Sequence, residues 1–355
     1  MALSFGLIGL LCLYKIRFSF FDENKTAIYE DYMSFEKTNS IKGVFILIVL
    51  FSHISQCVSL SDSLLTSLFN LINYNIIGQS MVSMFMLYSG YAVMLSVKNK
   101  GRDYVKLMPK NRICKVLLHF DIALLLFLIV QTIIGNKFSF SRIILSLIGW
   151  ENVGNSNWYI FVILVLYLIS WISFTICRDN YKISVIISFI LTAVLILVLH
   201  KYKDTFWWDT AILYPIGMNY YFCKEKIDKI FKEHSMVWAV SLLACIALTV
   251  LCYKFRHNDI AAIVKHVFFA LSILLITMKV QVHNKFLNYC GRHLFSIFIL
   301  QRLPMIVLSY LEIDNNPIIY IILTVVITII ICMPFDMLMS KVDRVLFTKK
   351  EKEIV

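Results

Sequence analysis

From residue 41 to residue 339 the sequence is a near-continuous series of apolar stretches. Each is close to the roughly 20 residues of helix that cross a hydrocarbon core of about 30 Å. Ten stretches fall at 41–60, 76–97, 113–135, 156–177, 183–200, 207–222, 236–253, 260–280, 293–311 and 317–339. An eleventh, 2–21, is shorter in its apolar part and meets Lys15 and Arg17. Inside a bilayer each backbone N–H and C=O must be bonded within the protein, which leaves helices or closed barrels, and runs of this length are helical. The expected fold is therefore an all-α integral membrane bundle of ten core transmembrane helices plus an N-terminal helix. It divides into a hydrophobic helix and linker over 1–36, a membrane domain over 37–340 and a basic cytoplasmic tail over 341–355.

Composition narrows the function classes. Residues are 59% hydrophobic and 16% charged, with a mean hydropathy of +0.77, against about 45 to 50% and about 25% in soluble domains. The formal charge is +12, but its distribution points away from nucleic acid. Alternate loops carry 26 Lys and Arg, and the opposite set only 6. Basic residues collect in cytoplasmic loops, so the expectation is a multi-pass protein of the plasma (inner) membrane with a cytoplasmic C-terminus. The nine cysteines form no Cys-x-x-Cys pair and no regular spacing, so neither a zinc site nor a disulfide framework is expected. No metal is expected elsewhere, because no paired His or carboxylate has ligand spacing.

Ionisable residues inside apolar spans are costly and mark function by default. They are His53, His119, Asp121, Asp209, Lys265, His266, Arg302 and Asp336. Lys265 and His266 lie near a span end, where long side chains snorkel to the interface. Asp336 is within reach of Lys341 or Arg344, and Asp209 follows Trp207 and Trp208 as in an interfacial belt. His53 differs, being about two-thirds of the way along its span. Lys42 lies 11 residues before it, almost three turns, so the two share a helix face about 16 Å apart. Gln56 continues the same face. The pattern joins a basic mouth to a deep imidazole, which titrates near neutral pH.

The segment Lys37-Thr38-Asn39-Ser40-Ile41-Lys42-Gly43 and the run to His53 resemble the opening core helix of the membrane acyltransferase-3 family of sugar O-acyltransferases, with Lys42 where many members have Arg. Further similar segments follow in order: Phe85 to Tyr91 with Ser89-Gly90-Tyr91, then Arg112-Ile113-Cys114-Lys115, then Asn157-Trp158-Tyr159, then Tyr214-Pro215-Ile216-Gly217, then Gly291 to Phe298. Gln301 stands where many members have His. The resemblance covers residues 37 to 340. It implies an O-acetyltransferase with acetyl-CoA as acyl donor and His53 as catalytic base or acyl carrier. Lys42, Arg112 and Lys115 would bind the coenzyme, the latter two from a loop over 98–115 with seven basic residues. The implied acceptor is a carbohydrate hydroxyl on a surface polysaccharide or lipid-linked glycan. Its expected contacts are Ser89, Tyr91, Glu151, Asn157, Trp158 and Arg302, and Trp150, Trp207 and Trp208 add stacking faces. The competing expectation is a transporter or flippase for a lipid-linked sugar or organic anion, with helices broken at Pro215 and Pro304.

Overall fold

Ser34 is extended, and its hydroxyl oxygen accepts from the Lys37 N–H, capping the helix that carries His53. This helix, α1, runs Phe35–Ile54. The computed structural model describes residues 16–19, 28–58, 78–282 and 284–347. The helices that follow are α2 (Gly78–Met108), α3 (Lys115–Ile134), α4 (Phe140–Leu147), α5 (Trp158–Cys177), α6 (Tyr181–Tyr202) and α7 (Leu213–Glu233). They continue with α8 (Ser235–Lys254), α9 (Asp259–Lys279), α10 (Lys285–Arg292), α11 (Leu294–Leu300), α12 (Arg302–Tyr310) and α13 (Pro317–Leu346).

Among the described residues, seven helices are long and apolar enough to cross a membrane, or eight if the bent run α10 to α12 is one span. Two of the predicted spans lie in one 57-residue helical run, Gly78–Ile134. Such a run is about 85 Å long if straight, well over one bilayer core. It breaks at Gly101, whose φ of 58° and ψ of −143° are not helical. A π-helical turn, Pro109–Cys114, then leads into α3. The expected basic loop over 98–115 is therefore largely helical. The predicted span 207–222 maps to α7, which begins only at Leu213 and whose second half is rich in Lys.

Three further expectations need correction. The predicted N-terminal helix lies mostly outside the described residues, and its described part is a strand. Ile16–Phe18 (β1) pairs antiparallel with Val280–Val282 (β2), with Arg17 opposite Gln281; the alternating pattern of both segments suits a two-residue period. Helix α13 runs to Leu346, so the start of the predicted tail continues the last helix. The one-residue interruption at Gln301 between α11 and α12 lies three residues before Pro304, but Pro215 breaks no helix, being the third residue of α7. Proline is tolerated there, where the missing N–H has no intrahelical partner. The actual break of the penultimate span is a 67° bend between α10 and α11. Asp336 of α13 pins it, accepting from His293 and from the Ser296 hydroxyl.

Apolar side chains point outward on α6, α8 and α13, where Leu197, Leu243 and Ile318 are more than 60% exposed; in lipid such a face needs no cover. Association in lipid rests on close packing of small residues, and two helix pairs show it reciprocally. A Cβ on Gly43 of α1 would lie 1.9 Å from the Leu287 carbonyl oxygen of α10, and one on Gly291 would lie 1.8 Å from that of Asn39. On α2 and α7, a Cβ on Gly90 would meet the Tyr214 carbonyl at 1.9 Å, and one on Gly217 that of Leu87 at 2.0 Å. In each pair the residues run in opposite directions along the contact, so both pairs are antiparallel.

Candidate active site

The C-terminal half of α1, the start of α2 and the segment 152–158 enclose a cavity of about 500 Å³. Its size falls within the usual range of small-molecule sites. Val49, Ser52, His53 and Gln56 form one wall, and Gln79, Asn155, Ser156, Trp158, Phe298 and Arg302 face them. Side-chain amides shape the 152–158 segment. Asn157 donates to the carbonyls of Gly149 (2.8 Å) and Glu151 (3.0 Å), Asn155 accepts from the Val153 N–H (3.0 Å), and Gln131 donates to the Val153 carbonyl (2.9 Å). Gly154, with φ 103°, supplies a left-handed turn between them.

Three polar atoms of cavity-lining residues are sealed from solvent with no hydrogen-bond partner among the described residues: His53 Nδ1, Asn155 Nδ2 and Ser156 Oγ. Buried polar groups are nearly always bonded, and exceptions call for an explanation. His53 also differs from three other histidines in the bundle. His119 bonds Asp343 at 2.8 Å, His266 bonds Asp209 at 3.0 Å and His293 bonds Asp336. Among the described residues His53 has no such carboxylate.

Gln79 is fixed by a chemical necessity. Its amide nitrogen lies 2.8 Å from the Phe206 carbonyl and 3.0 Å from Asp209 Oδ1. Both neighbours are acceptors, so both amide hydrogens are committed and only the oxygen remains to receive a donor. Asp209 is in turn held by the fully buried His266. Asp209 and His266 thus form a buried pair, and Lys265 is buried as well, so none of the three is an exposed, snorkelling side chain.

The structure brings His53, Asn157, Trp158 and Arg302 to one cavity and disperses the other expected site residues. Arg302 donates to Gln56 Oε1 at 2.7 Å. Lys42 sits about three turns before His53 on α1, its ammonium 5.4 Å from the Tyr88 ring and 5.7 Å from the Phe35 ring. Aromatic rings fill the space between the two residues: Phe45 contacts Phe85 (6.3 Å), Phe85 contacts Tyr159 (6.3 Å), and Tyr159 contacts Phe298 (5.3 Å). Ser89 lies beside the Tyr159 and Tyr167 hydroxyls. Arg112 donates to the Tyr104 hydroxyl at 3.0 Å and lies 5.9 Å from the Tyr167 ring. Tyr91 packs instead on Tyr220 and Tyr221.

Glu151 lines a neighbouring cavity of about 480 Å³ and pairs with Lys203 at 3.7 Å. The Lys203 ammonium also lies over the rings of Trp150 (4.2 Å) and Trp207 (4.5 Å). Trp207 and Trp208 are buried, so packing already occupies the faces expected to stack on a sugar.

Lys115 is engaged as well, bonding Asp343 at 2.7 Å, with His119 on the other carboxylate oxygen. Asp343→Ala would strip the partner from both. The expected cost is about 1 to 3 kcal/mol, read as a lower melting temperature, whereas Lys115→Ala, at a pair partly open to solvent, costs about 1 kcal/mol or less. Equal melting temperatures for the two variants would show that the carboxylate does not tie α3 to α13.

Sequence reading missed Gln79, Asn155 and Ser156. Gln79 opens an apolar span and reads as an interface residue, and Asn155 and Ser156 lie in a polar connection where such residues are common. Only the fold places them opposite His53.

A family model described as an acyltransferase domain, acyltransferase-3, matches residues 37–337. The chain belongs to the acyltransferase-3 family. It is a multi-pass membrane acyltransferase, and the helix with Lys42 and His53 opens its matched region. Neither a curated protein nor a solved structure matches this acyltransferase.

Proposed function

We propose that this acyltransferase is an O-acetyltransferase of the plasma (inner) membrane, with a cytoplasmic C-terminus. It moves the acetyl group of acetyl-CoA to a carbohydrate hydroxyl on a surface polysaccharide or its lipid-linked precursor. The observation that carries this reading is that His53, whose Nδ1 has no partner among the described residues, lines one cavity together with Asn155 and Ser156.

Acyl transfer needs a base for the hydroxyl proton and donors where the thioester oxygen gains charge. In this reading the acceptor oxygen attacks the thioester carbonyl carbon while its proton passes to His53. Asn155 and Ser156 stabilise the tetrahedral oxyanion. The C–S bond then breaks, and the leaving thiolate takes the proton from the imidazolium, which restores His53 and releases CoA. Gln79 Oε1 accepts from a neighbouring hydroxyl of the sugar and sets its register. The donor enters from the end of the bundle marked by Lys42 and Arg112, whose cations suit its phosphates. Its arm meets the Phe85 and Tyr159 rings before His53, so ring displacement accompanies donor binding.

The test is acetyl-CoA-dependent release of CoA thiol by the purified protein, with and without a panel of candidate glycans. Glycan-stimulated release is expected. No stimulation by any glycan, together with no acetyl-CoA binding, would overturn the reading.

A further inference from the structure

Arg302 stands at a boundary between two different environments. On one side is the polar His53 cavity. On the other is a groove of about 380 Å³, and Arg302 and Gly154 belong to both. The groove runs between α3 and α12, where Ile134, Met305, Ile306 and Tyr310 give it a predominantly apolar lining. The Arg302 guanidinium is half-buried, its hydrogen-bond acceptor is the neutral Gln56 amide, and no ion pair forms with it among the described residues. A cation withdrawn from water without a counter-charge is costly. Its position therefore suits an anion that arrives with its ligand.

A ligand with an anionic group at Arg302, an apolar tail in the groove and a polar portion in the cavity matches all three surfaces. We infer that the groove and Arg302 bind the phosphate and hydrocarbon chain of a single-chain lipid carrier, which presents its attached glycan to the His53 cavity. The single groove of about 380 Å³ beside Arg302 offers a place for one chain, and charge complementarity with Arg302 selects the headgroup. The inference rests on the proposed acetyl transfer and chooses, between polysaccharide and lipid-linked precursor, the lipid-linked acceptor.

Binding can be tested without knowing the glycan. The detergent-solubilised full chain is titrated with farnesyl phosphate, and bound lipid is read by native mass spectrometry. Farnesol and inorganic phosphate carry the tail alone and the headgroup alone, and phosphatidylglycerol serves as a two-chain competitor. The wild type should bind farnesyl phosphate at least about tenfold more tightly than either fragment, the usual scale for losing a charge-assisted contact. Arg302→Gln should lose about the same factor, and Ser309→Trp, which fills the groove and leaves Arg302 in place, should weaken farnesyl phosphate but not inorganic phosphate. Unchanged affinity in Arg302→Gln, or equal competition by phosphatidylglycerol, would overturn the inference. Thiol release with acetyl-CoA and soluble glycans, measured on the same wild-type preparation, reports on acetyl transfer separately, so failure of one leaves the other readable.

Discussion

His53→Ala will reduce glycan-dependent thiol release by about 100- to 10,000-fold, the range that a positioned acid-base group contributes. The protein will stay folded, because the imidazole has no hydrogen-bond partner to lose among the described residues. His266→Ala is the informative contrast. It strips the buried Asp209 of its imidazole partner and should lower the melting temperature, since an unpaired buried group costs about 1 to 3 kcal/mol or more. Asn155→Ala combined with Ser156→Ala should cost about 100- to 1,000-fold, the scale of a lost oxyanion donor, with the KM for acetyl-CoA little changed. Turnover by His53→Ala within threefold of wild type would remove the imidazole from the chemistry.

The second large effect concerns folding. At Gly217 and Gly90 a methyl group would collide with backbone oxygens at 2.0 and 1.9 Å, and no rotamer change relieves a clash with backbone. Each Gly→Ala substitution should destabilise by about 1 to 3 kcal/mol or more through overpacking. Both residues share one helix contact, so once the first methyl separates α2 from α7 the second meets less resistance. The double variant should lose clearly less than the sum of the singles, whereas Gly90→Ala with Gly291→Ala, at separate contacts, should be additive. Thermal unfolding monitored by tryptophan fluorescence distinguishes these patterns, and strict additivity within the α2 and α7 pair would contradict the shared contact.

Much of the fold was legible because lipid imposes a strong rule on sequence: apolar runs of the right length are helices. The rule reads length and polarity but not continuity, so it could not see that the connection over 98–115 is largely helical with a break at Gly101, or that α7 starts at Leu213. His53 was legible for the same reason, as a titratable group in an apolar run. Its partners were not, because Gln79, Asn155 and Ser156 are ordinary polar residues at the ends of spans. Lys115 was read from the family resemblance and Asp336 from its local neighbours, but their bonds cross the bundle, Lys115 to Asp343 and Asp336 to His293 and Ser296. Charge pairing between helices distant in sequence leaves no local pattern.

The glycine contacts and the cavity lie about three turns apart on the same two helices. On α1, Gly43 is ten residues from His53, and on α2, Gly90 is eleven residues from Gln79, about 15 Å in each case. Assembly is thus secured along the middle of each helix, and substrate is received at one end. An altered acceptor can be accommodated by changing side chains around the cavity without disturbing the joints that hold the bundle together. This separation makes the scaffold suited to diversification, since new specificities can be sampled at little risk to folding.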